Sequence, residues 1–133
     1  MNLNSLTKCR AYLTNALAEF SPVPVRDAGN LTAPPARLYV EVNINGPKTN
    51  PTIDAKFNLT LLVIAIPPPT DNFFQYVDIA HQFQRYLNGL FIIIPDVGCL
   101  MQDGTILVKD LGYVDRVETI RQAKVLCEFI LEY

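Results

Sequence analysis

Ten prolines are confined to a few connecting stretches: Pro22, Pro24, Pro34 and Pro35; Pro47 and Pro51; Pro67, Pro68 and Pro69; and Pro95. Proline fixes φ and has no backbone N–H to donate, so it marks where helices and sheet ladders cannot run. None of the ten interrupts an apolar-periodic run. The segments between them read as a small set of regular elements joined by unusually long connectors.

Residues 4–20 carry Leu6, Cys9, Leu13, Ala16, Leu17 and Phe20 at three- and four-residue steps, which predicts an amphipathic helix capped by Asn4 or Ser5. The stretch 21–36, SPVPVRDAGNLTAPPA, has no clear period and is expected to be an extended arm lying on a surface. Arg37 to Ile44 alternates strictly, with Leu38, Val40, Val42 and Ile44 on one side, and predicts a strand with one buried face. Residues 45–53, with Asn45-Gly46 and two prolines, predict a hairpin tip. Residues 53–66 predict a second strand, central in its sheet because Leu62, Ile64 and Ile66 add apolar side chains to its other face.

A second helix is expected over 71–88, presenting Phe73, Phe74, Val77, Ala80, Phe83 and Leu87, with Gly89 at the C′ position. Leu90 to Ile94 reads as a short apolar strand or an extension of the core, and Pro95 to Gly104 as a turn-rich connector. A strand is expected within Thr105–Glu118, bent or bulged at Gly112, and a final one from about Gln122 to Tyr133. The expected fold is one α+β domain over 1–133. It has a mostly antiparallel sheet of four to five strands and two main helices packed on one face, in the order α-β-β-α-(β)-β-β.

Half of the residues are hydrophobic, enough for one core. The formal charge is −2 and the basic residues are scattered, so the stripe that tracks a phosphate backbone is missing. The longest apolar run, Leu59 to Ile66, is too short for a membrane helix, and the first residues lack the apolar core of a secretory signal. A soluble protein made in a cytoplasm is expected. Cys9, Cys99 and Cys127 are an odd number at wide spacing and read as small buried hydrophobes.

Catalytic chemistry finds little to work with. His81, the one histidine, has Asp78 one turn away but no nucleophile in a recognisable context. Asp96, Asp103, Asp110 and Asp115 do not cluster, and Asp96 and Asp103 suit turns. Gly46-Pro47-Lys48 lacks the rest of a P-loop. Phe73, Phe74 and Tyr76 read as core plus one exposed ring, not a base-stacking platform. No catalytic, cofactor or metal residue is assigned. The candidates that remain are for assembly: Arg26 and Asp27 in the arm, Pro47 and Lys48 in the hairpin tip, and Arg116, Glu118 and Arg121 near the last hairpin.

In length and order of elements the chain resembles the tail terminator (tail-completion, minor tail protein U-like) proteins of long-tailed bacteriophages. The resemblance runs from the N-terminal helix through APPARLYVEVN, DAKFNLTLLVIAI and DNFFQYVDIAHQFQRYLNG to AKVLCEFILEY. It offers no catalytic signature from which a site residue could be carried over. It implies a non-enzymatic virion protein of the tail or neck. Its subunits form a ring, typically a hexamer, that stops tube polymerisation and contacts the tail tube protein and a head-completion or connector protein. It implies neither membrane nor sequence-specific nucleic-acid binding, only DNA passage through the ring. The residues alone leave two alternatives open: another phage neck or tail-tube component, and a small α+β ligand-binding or enzymatic domain.

Overall fold

The computed structural model describes residues 3–30, 32–45, 55–67, 75–113 and 120–132. It is a mixed α+β fold, with helices α1 (Leu3–Phe20) and α2 (Gln75–Leu87). The strands are β1 (Val25–Asp27), β2 (Leu38–Asn45), β3 (Ala55–Ala65), β4 (Phe91–Ile94), β5 (Gly98–Tyr113) and β6 (Arg121–Glu132). They form one sheet in the order β1-β2-β3-β6-β5-β4, antiparallel except for the β1–β2 pair.

Alternation explains the long strands. Val40, Val42 and Ile44 of β2 stand opposite Val63, Leu61 and Leu59 of β3, which in turn face Ala123, Val125 and Cys127 of β6. All nine are buried in one cluster with Cys9, Leu13 and Leu17 of α1 and Tyr76, Ile79, Ala80, Phe83 and Leu87 of α2. Both helices therefore lie on a single face of the sheet. Phe20, at the end of α1, fixes them to each other: its ring stacks on Tyr86 at 4.1 Å and meets Phe83 edge-on at 5.3 Å. Arg10 ties α1 to the sheet by donating from Nη2 to the Ile44 carbonyl at 2.6 Å.

β3 is central, paired along its length with β2 and β6. Only Ile64 of its second apolar set is buried, whereas Leu62 and Ile66 are half-buried. Gly89 follows α2 with φ 73°, the left-handed conformation that closes a helix end. Gly112, at φ 60°, sits at a register shift between β5 and β6, at the expected bend.

Several expectations change. α1 starts by Leu3, so Asn4 and Ser5 lie inside its first turn and neither caps it. The aperiodic arm contains β1, a three-residue strand too short to show alternation, and the sheet has six strands. Pro95 to Gly104 is not a connector: the turn occupies only 95–97, with Asp96 at φ 62°, and β5 begins at Gly98. The turn-forming residues Asp103 and Gly104 belong to a second irregularity inside β5, between Asp103 and Leu107. All but the first residue of the hairpin tip 45–53 lie outside the described residues, as do Phe73 and Phe74.

Phe83 is fully buried, under Phe20 and over the sheet. Phe83→Ala is expected to lower unfolding free energy by about 3–5 kcal/mol in urea titration, through lost burial plus an unfilled cavity.

Candidate assembly surface

Arg26 lies on the face of the sheet opposite the helices, in register with Glu41. Its Nη1 donates to the carbonyls of Thr32 and Ala33 at 2.9 and 3.2 Å, and its guanidinium sits 4.8 Å from the centre of the Tyr39 ring. Arg26 thereby straps the loop between β1 and β2 over this end of the sheet, where Tyr39 and its register partner Ile64 are buried. The Glu41 carboxylate is 3.9 Å from Arg26 Nε, an ion pair beyond hydrogen-bond length. Asp27 accepts the Gly29 N–H at 2.9 Å and shapes the turn after β1. Arg121 donates to the Tyr113 hydroxyl and stacks over that ring at 4.6 Å, closing the ends of β5 and β6. These three candidates are separated, since Arg26 and Asp27 sit at the β1 edge and Arg121 at the base of the β5–β6 pair. Pro47, Lys48, Arg116 and Glu118 lie outside the described residues.

What the sequence reading missed is the rest of the helix-free face. Beyond the Arg26 strap, no described helix or loop covers it. On the edge strand β4, Phe91 is 53% and Ile93 68% exposed, and on β5 Leu107 is 49% exposed. Half-buried Met101, Leu126 and Ile130 continue the apolar surface inward. The signal was present in the unbroken apolar run Leu90 to Ile94, which is longer than one buried face of a short strand requires.

The deepest polar arrangement is structural. Tyr76 is buried on α2, and its hydroxyl donates to Asp110 Oδ1 at 2.9 Å. The same oxygen accepts the Gly112 N–H at 2.9 Å, so Asp110 holds both the bulge and the helix above it. Burial first, then the hydrogen bond to the carboxylate and its negative charge, push the Tyr76 phenol up to about 12. Burial, and secondarily Glu128, push the Cys127 thiol up to about 12 as well. His81 is exposed, with Nδ1 3.3 Å from Gln84 Oε1. An open groove of about 460 Å³ between α1 and β2 is lined by Thr7, Arg10 and Asn15, with Asp27 the one carboxylate. Among the described residues, no three His, Cys, Asp or Glu side chains converge as metal ligands. No described helix is long and apolar enough to cross a membrane.

No protein-family model matches the chain, and no curated protein matches it. A solved structure is similar over 100% of this chain and 97% of its own, with a TM-score of 0.70 and 10% sequence identity. At that identity the likeness is one of fold, and the matched protein carries no functional name.

Tyr76 and Cys127 contribute to the alkaline behaviour, in the same direction as Cys9, Tyr39 and Tyr86, which burial also pushes up. In the unfolded chain Tyr76 and Cys127 ionise near 10 and 8.5, but in the folded protein only at about 12. Above those lower values the unfolded state loses protons first, so stability is full below about pH 8.5 and falls as pH rises toward 12. Asp110→Asn should bring the Tyr76 transition down toward 10 in an absorbance titration at alkaline pH, while burial keeps it above that value. Thiol titration of the native protein near pH 8 should find Cys99, which is half-buried, and leave Cys9 and Cys127 unmodified until denaturant is added.

Proposed function

We propose that this chain is a structural virion protein. It forms a ring subunit, in a hexamer, that caps the tail tube of a long-tailed bacteriophage, ends tube polymerisation and presents the joining surface for the head-side connector. The observation that carries the reading is the β4 edge of the sheet: β4 pairs with β5 alone, α1 approaches it from the helix side, and Phe91 and Ile93 are exposed on the other face. An exposed apolar edge strand invites pairing with another chain unless something covers it. A ring supplies that cover from the next subunit through a heterologous contact that closes by rotation. The order and length of the elements, which resemble those of tail terminators, support a place for the ring in a virion. The tail tube protein and a head-completion protein are its partners in this reading.

Phe91→Ser/Ile93→Asp tests the edge. Both residues are exposed, so the monomer's unfolding free energy should change by no more than about 0.5 kcal/mol per substitution. The ring should be lost, with light scattering reporting a smaller particle. Particles assembled without this protein should carry overlong tails by negative-stain imaging. Tails absent altogether would instead assign it to tube initiation, and tails of normal length would overturn the reading.

A further inference from the structure

Three successive cross-strand rows on the helix-free face of β5 and β6 have a pattern that one isolated sheet does not favour. Asp103 stands opposite Glu128, Leu107 opposite Leu126, and Lys109 opposite Lys124. The first row is two carboxylates and the third is two ammonium groups. Like charges directly opposite on one face repel. Among the described residues none of these four has an ion-pair partner, and Arg26–Glu41 is the ion pair this face does contain. Between the two charged rows lies an apolar one, with Leu107 exposed beside a groove of about 360 Å³ that Asp103, Leu126 and Glu128 also line.

We propose that this face pairs with the same face of a second copy of the chain, about a two-fold axis running along the Leu107–Leu126 row. Rotation about such an axis keeps β5 over β5 and β6 over β6 but reverses the strand direction. Four residues of β6 separate Glu128 from Lys124, about 13 Å at 3.3 Å per residue, with the axis midway. The acidic row of each copy then lies over the basic row of the other, Asp103 above the second copy's Lys109 and Glu128 above its Lys124. The leucines meet at the centre. Repulsion within each sheet becomes attraction between two sheets, which accounts for both like-charge rows with a single contact. The alternation of sign is self-complementary about this axis, so a second copy of the chain matches it with no further element required. Three long strands, β3, β6 and β5, with the short β4 at their edge, give a face of at most about 19 by 33 Å, at the lower limit of specific interfaces, so the pair should form in the micromolar range. It does not depend on the ring: single chains joined this way dimerise, and rings joined this way double.

Sedimentation of the wild-type chain at up to about 100 μM and an ionic strength of about 0.05 M should give an even-numbered assembly. Lys109→Glu/Lys124→Glu makes the outer rows all acidic, and Asp103→Lys/Glu128→Lys makes them all basic. Each alone should halve the mass, and an equimolar mixture of the two should restore it. A wild-type monomer or odd-numbered assembly would overturn the proposal. So would unchanged mass in either variant, or no recovery on mixing. If either reversed variant loses its far-ultraviolet circular dichroism, the neutral Lys109→Gln/Lys124→Gln replaces it. That variant should weaken association about tenfold, and an unchanged constant would sink the idea.

Discussion

The pairing of β3 with β6 is the contact on which the remaining structure depends. Eleven consecutive residues of β3, Ala55 to Ala65, are in unbroken register with Leu131 to Arg121. Four of these pairs, Phe57–Phe129, Leu59–Cys127, Leu61–Val125 and Val63–Ala123, are buried on both strands. A slip of one residue would turn the whole buried set of the slipped strand to the helix-free face. The same register positions β2 on one side and β5 on the other, and so creates the apolar floor on which α1 and α2 settle.

The two faces of this floor are governed differently. Burial decides the helix side, where the apolar core is continuous and the main polar feature, Tyr76 on Asp110, is paired. On the other side the Arg26 strap shelters only the β1–β2 end, and charge and exposed apolar groups remain over β4, β5 and β6. An antiparallel sheet packed on one face can leave the other to water or to another chain.

Much of this was legible before the structure, for physical reasons specific to each element. β2, β3 and β6 could be read because alternation over eight or more residues leaves no other consistent assignment. α2 could be read from its apolar stripe and the glycine that closes it. β1 could not, since three residues carry no period and its pairing with β2 is made by backbone bonds such as Val40 N–H to the Pro24 carbonyl and Ala28 N–H to the Val42 carbonyl. The start of β5 was hidden because Asp103 and Gly104 are turn formers used here in a bulge. The surface rows were hidden for a related reason. Asp103 and Glu128 are 25 positions apart, and only the shifted register across that bulge puts them opposite each other.

The central ladder also has a consequence in time. β2 and β3 are neighbours in sequence and can pair early, but the second edge of β3 must wait for β6. Arg121 follows Ala65 by 56 positions, roughly 3 to 11 s of synthesis at about 5–20 residues per second. For that interval the nascent chain carries an apolar strand with one edge open, Phe57 to Ala65, the kind of edge that recruits other chains. On the ribosome, β3 therefore passes through an aggregation-prone window that closes only when β6 emerges and pairs with it.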